Sequence, residues 1–124
     1  MVDITPLIAR GSQIVDKYGN GGFVITGERY SSDLILFPDR TLILDDIREE
    51  VSELNISVII ERAEEVDILL YGGGESARFF SDELEKVLRK NKITVEVMNT
   101  GAACRTWNAL LSEGRQIAAV LHTV

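Results

Sequence analysis

Residues 93–114 read ITVEVMNTGAACRTWNALLSEG, a strand pattern followed at once by a helix pattern. Valines alternate with polar residues over residues 93–98, which predicts a strand. After a break at residues 99–101, apolar residues recur at helical spacing over residues 103–113. This spacing predicts an amphipathic helix that ends at Gly114, where a left-handed residue is favoured.

The C-terminal half of the chain repeats this order of strand and helix. An apolar strand is predicted over residues 66–71, and a helix over residues 82–90 follows the N-cap Ser81. The last predicted strand, residues 116–121, is apolar on both faces, as in a sheet that is covered on both sides. Crossovers of this kind are almost always right-handed and give parallel strands, so we predict a parallel βαβαβ unit.

The first third of the chain is a series of short β-segments. They are predicted over residues 13–18, 23–25, 28–30, 32–37 and 41–44, with a hairpin turn at residues 19–22. Residues 45–53 are expected to form an extended connection with weak helical character, and Asn55 to cap a helix over residues 56–64. The predicted fold class is α/β: a single domain over residues 1–124, with a central mixed sheet flanked by helices. The parallel βαβαβ half and the N-terminal antiparallel β meander give it three layers.

The net charge of −7 comes from one acidic segment. Residues 45–67 contain nine acidic residues and two arginines, and the remainder of the chain has eleven of each sign. Such a surface repels phosphate backbones, so nucleic acid is not an expected partner. Two interpretations stay open: a solvated face that aids solubility, or a docking surface for a basic protein partner.

The sequence contains one cysteine and one histidine, which limits the chemistry that it can support. No Ser-His-Asp grouping or HExxH zinc motif can be built from them, so we expect no metal and no cofactor, and whether the chain is an enzyme stays open. A single cysteine fits a reducing compartment, and no signal peptide or apolar stretch of membrane-spanning length is present. We therefore predict a cytoplasmic protein without membrane insertion.

A candidate ligand site lies where two predicted strands end. Gly72-Gly73-Gly74 and Thr100-Gly101 follow the carboxyl ends of parallel strands, and that edge of an open α/β sheet is where ligands bind. A small anion is the expected ligand, with Arg105 as the counter-charge and Asn108 on the outer rim. The alternative is that the glycines only form a tight exit from the strand.

Three side chains near this edge carry further expectations. Cys104, in the first predicted turn of the helix beside Arg105, is either a reactive or catalytic thiol or a small buried residue. Trp107 is expected in the core with a partner for its indole N–H. His122, close to the end of the sequence, is expected to be solvated.

The signature around this helix resembles a known family. Residues 99–108, with Leu110-Leu111 and Glu113-Gly114-Arg115, are similar to the signature helix of a family of small domains of unknown function. Its eukaryotic relatives include mitochondrial complex I assembly factor three and an adipogenesis-associated protein. Tyr18-Gly19 with Gly21-Gly22-Phe23 resembles the glycine motif of the family, and Gly72-x-Gly74 resembles its Gly-Thr-Gly. The resemblance implies a mixed sheet flanked by helices with an extra β layer, and protein partners.

Two functional hypotheses follow. The first is a non-enzymatic assembly-factor-like or adaptor domain with an unidentified protein partner, linked by the resemblance to respiratory complex I assembly. The second is a small-ligand or anion-binding domain, with Cys104 as its reactive group, at the carboxyl edge of the parallel strands.

Overall fold

The computed structural model describes residues 11–44, 51–77 and 80–124 of the chain. The described helices are α1 (Glu53–Ile60), α2 (Asp82–Lys90) and α3 (Thr100–Ser112). The described strands are β1 (Val15–Gly19), β2 (Gly22–Ile25), β3 (Glu28–Tyr30), β4 (Asp33–Phe37), β5 (Arg40–Leu44), β6 (Ile68–Gly72), β7 (Thr94–Met98) and β8 (Ile117–Leu121). A single 3-10 turn over Ala63–Glu65 connects α1 to β6.

The strands form a central mixed sheet and a smaller antiparallel sheet. The central sheet has the order β5-β4-β8-β6-β7, in which β6 is parallel to both β7 and β8, and β4 is antiparallel to its two neighbours. The smaller sheet is β1-β2-β3. The predicted mixed sheet, parallel βαβαβ half and N-terminal antiparallel meander are confirmed. The meander divides, however, because β4 and β5 join the central sheet.

Two apolar clusters cover the two faces of the central sheet. One cluster joins the sheet to α1 and α2, through side chains such as Ile59, Leu84 and Leu88. The other joins it to α3 and the small sheet, through Phe23 and Trp107 among others. All five residues of β8 are buried, as expected for a strand covered on both faces. The three-layer prediction is therefore confirmed.

The ends of α2 and α3 follow the capping rules of isolated helices. Ser81 caps α2 as predicted, because its side chain accepts a hydrogen bond from the amide of Leu84. Gly114 has a φ of 71° after α3, and its amide donates to the carbonyl of Leu111 at 3.1 Å. The Arg115 amide reaches the Leu110 carbonyl at 3.1 Å, which completes a Schellman motif.

The beginnings of α1 and α3 differ from the predictions. Asn99 caps α3 through a 2.8 Å bond from the Ala102 amide, so the helix begins three residues earlier than predicted. The N-cap of α1 is Ser52, and the predicted cap Asn55 is wrong: it lies in the first turn and completes a capping box with Ser52. The predicted extended connection falls mostly on residues 45–50, which lie outside the described residues.

Candidate functional site

The two glycine-bearing bends meet at one edge of the central sheet, as predicted. Gly72 of β6 is in register with Met98 of β7, and the amide of Gly73 donates to the Met98 carbonyl at 2.9 Å. Beyond the strands, the Thr100 amide donates to the carbonyl of Gly74 at 2.8 Å. The parallel strands thus bring the candidate residues of both bends into direct contact.

Thr100 closes this edge with its hydroxyl group. The hydroxyl accepts a hydrogen bond from the Gly74 amide at 2.9 Å and donates one to the His122 carbonyl at 2.7 Å. Thr100 itself is completely buried. The amides of Gly73, Gly74, Thr100 and Ala102 therefore all have partners within the protein, which removes them as donors to an anion. Anion binding by these residues stays a prediction, and the tight strand exit is the interpretation that this geometry favours.

Close packing around Gly72 leaves no room for a larger residue. A Cβ atom built at this position would lie 2.9 Å from Leu121 Cδ2, 3.0 Å from Ala103 Cβ and 3.1 Å from Thr100 Cα. Two of these contacts are shorter than Cβ contacts in native proteins or at their limit. A Cβ here would force the Leu121 side chain to shift and would crowd Ala103 and Thr100, because β6, β8 and α3 approach one another at this point.

Cys104 lies in the second turn of α3, because the helix begins at Thr100. Its side chain is buried, with 1% exposure, and burial raises the pKa of the thiol to about 12 although the charge of Arg105 opposes the shift. A thiol with this pKa is protonated at neutral pH, and the field of the helix terminus falls off within the first turn. The packing interpretation is the one that these observations favour.

Three side chains attach α3 to the N-terminal part of the chain: Arg105, Trp107 and Asn108. Arg105 Nη1 donates to the Tyr18 hydroxyl at 2.8 Å, and Trp107 Nε1 donates to the carbonyl of Gln13 at 2.7 Å. Trp107 is fully buried, so its predicted place in the core is confirmed. The two candidate binding residues Arg105 and Asn108 thus make contacts within the chain, and the signature helix and the glycine motif are two sides of one interface.

A polar triad of Asp33, Tyr71 and His122 lies on the opposite face of the same edge, and no pattern in the sequence predicted it. His122 Nδ1 is 3.0 Å from Asp33 Oδ2, and His122 Nε2 is 2.8 Å from the Tyr71 hydroxyl. His122 is 2% exposed, so the expectation that it is solvated is wrong. The cause is the amide of His122, which donates to the Gly72 carbonyl at 2.9 Å and extends the ladder beyond β8. Continuing the two-residue period of β8 would have placed His122 on a covered face.

The proton arrangement of the triad follows from the charge on Asp33. Burial, the largest influence, raises the pKa of Asp33, but hydrogen bonds from His122 and from the Thr123 amide together outweigh it, and the pKa is lowered. An ionised carboxylate only accepts hydrogen bonds, so Nδ1 of His122 carries a hydrogen. In a neutral imidazole, Nε2 then accepts from the Tyr71 hydroxyl.

This triad resembles a proton relay in composition, but its reactive atoms are enclosed. Tyr71 is 1% exposed, and its ring meets Phe80 edge to face at 5.1 Å between ring centroids. A general acid or base must reach a proton of its substrate, and His122 and Tyr71 are 2% exposed or less, while the side chain of Asp33 is 11% exposed. The triad joins β4, β6 and β8 instead.

The described residues form neither a metal-ion cluster nor a membrane-spanning helix. Among residues 11–44, 51–77 and 80–124, no group of three or more His, Cys, Asp or Glu side chains is arranged to hold a metal ion. Across the same residues, no helix combines the length and the apolar character that crossing a membrane requires.

These features define an α/β domain whose strand-end edge is closed by its own side chains. The chain belongs to the family described as protein of unknown function (DUF498/DUF598), which matches residues 15–122. The resemblance seen in the signature helix and the glycine motif is thereby confirmed.

Named relatives and solved structures agree with this assignment. The chain is 28% identical over 109 residues to NADH dehydrogenase (ubiquinone) 1 alpha subcomplex assembly factor 3 of Mus musculus. The match covers 86% of this chain and 58% of the mouse protein, and the human counterpart is covered to 62%. The chain thus spans less than two thirds of the length of these relatives.

Among solved structures, a protein of Bartonella henselae described as an outer membrane protein has a TM-score of 0.86 and 33% identity, over 92% of this chain and 97% of that chain. A protein of Bordetella pertussis, described as a Mth938-like domain, shares the fold with a TM-score of 0.77 at 22% identity. That match covers 92% of this chain and 87% of the other.

Proposed function

We propose that this chain is a non-enzymatic, assembly-factor-like domain that acts by binding a protein partner. The observation that carries the proposal is the similarity of most of the chain to proteins named as assembly factors of NADH dehydrogenase. The proposed partner is a subunit or an assembly intermediate of the respiratory NADH dehydrogenase. A cytoplasmic location is part of this proposal, and cell fractionation tests it.

The chemistry of the strand-end edge supports binding of a protein rather than catalysis. The thiol of Cys104 is protonated and buried, and the imidazole of His122 and the phenol of Tyr71 are enclosed with each other. A catalytic group has to touch its substrate, and none of these three reaches the surface of the described part of the chain.

The acidic surface offers one place for a partner. Its described carboxylates are exposed: Glu53, Glu61, Glu64, Glu65 and Asp67. Arg62 compensates part of this charge, since its guanidinium lies 2.9 Å from Asp39 and 2.9 Å from Glu65 and stacks over the ring of Phe37 at 4.2 Å. If this surface docks a basic partner, the affinity falls steeply with salt; a solvated face gives no such dependence.

The direct test is deletion of the gene in the native host, in an organism whose respiratory chain includes NADH dehydrogenase. We expect less fully assembled enzyme on native gels and more partly assembled material, with recovery when the wild-type chain is supplied again. Unchanged assembly and unchanged NADH oxidation in the deletion strain would overturn the proposal.

The competing proposal is a small-ligand or anion site formed by residues 72–74 and 99–105 with Asn108. Calorimetry with phosphate, nucleotides and small carboxylic acids separates the two. A saturable heat at micromolar concentration that disappears in Arg105→Ala would favour the ligand site over the assembly role.

A further inference from the structure

β7 is an edge strand with unpaired backbone groups. Within the described parts of the chain it pairs only with β6, in an uninterrupted parallel register. The Thr94 amide donates to the carbonyl of Asp67 at 2.9 Å, and the Met98 carbonyl accepts from Gly73 at 2.9 Å. Bonding residues alternate along a strand, so the amides and carbonyls of Val95 and Val97 point away from β6.

Among the residues that the structure describes, this edge has one of the features that usually protect edge strands, the charged side chain of Glu96, and lacks several others. β7 reads TVEVM, without proline, lysine or a bulge. The side chain of Val97 is 43% exposed, which is high for a large apolar residue in a sheet. Val95 lies on the same face as Val97 and packs into the core below α2, whereas Glu96 is exposed on the opposite face. The edge therefore presents both open hydrogen-bonding groups and an apolar side chain.

The charge of Glu96 argues against a second copy of this chain as the occupant. The open groups of Val95 and Val97 allow an antiparallel partner in a register that is centred on Glu96. Two copies joined in this way would place Glu96 directly opposite its own equivalent, and like charges facing each other across two strands are destabilising. A segment with lysine or arginine at that position would instead gain a favourable pair.

We propose that the edge of β7 binds an extended segment of a partner protein that adds one antiparallel strand with an apolar–basic–apolar sequence. The basic residue lies opposite Glu96, and the apolar residues on either side lie opposite Val95 and Val97. This inference rests on the proposed function, because it names the surface and the sequence character of the protein partner. Main-chain hydrogen bonds provide affinity in such strand addition, and the alternate side chains provide specificity.

The first test uses two blocked peptides, Thr-Val-Lys-Val-Thr and its counterpart with glutamate at the centre, titrated into isotope-labelled protein and followed by NMR. We expect saturable shifts and slower hydrogen exchange at the amides of Val95 and Val97, with the lysine peptide binding at least tenfold more tightly. In Glu96→Lys the order of the two peptides reverses. Equal affinities, shifts confined to other residues, or protection that grows with protein concentration alone would each overturn the proposal.

The second test blocks the edge itself. Val97→Pro removes an amide that does not pair with β6, and we expect the affinity for the lysine peptide to fall at least tenfold. The matched control is Ile43→Pro, on the other edge of the same sheet. Ile43 is 53% exposed, and the alternation of the β4–β5 ladder directs its amide outward. An Ile43→Pro variant that loses binding as fully as Val97→Pro overturns the assignment to β7. Thermal melts report whether either variant folds. If Val97→Pro does not fold, the reversed peptide preference of Glu96→Lys decides whether β7 is the binding edge.

The two proposals fail in different ways when these variants are expressed in the deletion strain. If wild-type chain restores enzyme assembly and folded Val97→Pro restores it equally, the strand-addition proposal is overturned and the assembly role stands. If deletion leaves assembly unchanged, the assembly role is overturned whatever the peptides do.

Discussion

Asn108 forms two hydrogen bonds with the backbone of Val15. Its side-chain amide bonds the same N–H and C=O groups that a neighbouring strand would bond. Its Oδ1 accepts from the Val15 amide at 2.9 Å, and its Nδ2 donates to the Val15 carbonyl at 2.8 Å. A side chain of α3 thus satisfies the outer edge of β1, which would otherwise meet the helix with unpaired polar groups. This pairing gives Asn108 a role within the chain, because it attaches α3 to β1.

Asn108→Ala tests the strength of this attachment. The substitution leaves both backbone groups of Val15 without their partner, and we expect a loss of about 1–3 kcal/mol in the free energy of unfolding. Urea titration followed by circular dichroism measures it. The control is Asn91→Ala, which removes one exposed bond to the Val87 carbonyl and is expected to cost less. Similar losses for the two variants would contradict the special role of Asn108.

Substitution by alanine is expected to have opposite effects at Gly72 and at Gly101. Gly72→Ala forces a Cβ against Leu121, Ala103 and the backbone of Thr100, and overpacking of this kind costs about 1–3 kcal/mol. Gly101→Ala places a Cβ 3.0 Å from the hydroxyl of Tyr18, whose side chain is exposed and can move. In a helix, alanine is favoured over glycine by about 1 kcal/mol.

We therefore expect Gly101→Ala to be neutral or stabilising and Gly72→Ala to be destabilising, as measured by thermal melts of the two variants side by side. If Gly72→Ala melts at the wild-type temperature, the packing around Gly72 is loose enough to accept a methyl group.

Cys104 is expected to be inert in the folded protein. Since burial raises the pKa of its thiol to about 12 and leaves 1% exposed, a thiol reagent at pH 7 has neither thiolate nor access. We expect modification in buffer to be at least a hundredfold slower than in 6 M urea, where the same thiol is free. Equal rates in the two solvents would show that the thiol of Cys104 is reactive in the folded protein.

Asp33 makes the free energy of unfolding depend on pH. Its pKa lies below the ordinary value of 3.8, so the ionised carboxylate stabilises the folded state above that pH. The contribution is lost as pH falls through the lowered pKa. The side chain of Asp33→Asn has one oxygen for the two donors, His122 Nδ1 and the Thr123 amide, so one of them loses its acceptor. We expect the free energy of unfolding to fall by about 1.5–3 kcal/mol at pH 7.

The measurement is the unfolding free energy of Asp33→Asn and of wild-type protein from pH 7 down to pH 2.5. The gap between them is expected to narrow below pH 3.8, while the exposed control Asp67→Asn stays within about 0.5 kcal/mol of wild type at pH 7. A gap that is constant over this range would show that the charge of Asp33 is not what stabilises the triad.

Local rules were enough to predict much of the fold. The helix over residues 82–90 was predicted with its observed ends, because Ser81, early acids and late bases all act within one turn of the helix. Gly114 was predicted for the same reason, and the apolar run of β8 indicated a strand covered on both sides. The meeting of the two glycine bends followed from topology, since parallel strands share one carboxyl edge.

The features that the sequence did not predict depend mainly on contacts between residues that lie far apart in the chain. The triad joins His122 to Asp33 across 89 positions and to Tyr71 across 51, and no period or spacing relates these residues before the strand order is known. The cap of α1 was misplaced because Ser52 and Asn55 are both good cap residues, and only their reciprocal bonds show which one begins the helix. The partners of Arg105 and Asn108, Tyr18 and Val15, lie more than 80 residues away, so the sequence did not show these contacts; ligand binding by the two side chains stays a prediction.

The position of β8 in the middle of the central sheet has a consequence for biosynthesis. The ribosome releases β4 and β6 well before β8, yet in the finished sheet each of them pairs with β8. Until β8 emerges, the nascent chain carries two separate fragments with unsatisfied strand edges, and such edges invite pairing with other chains. The two fragments therefore become one sheet only once β8 is free to pair with both β4 and β6.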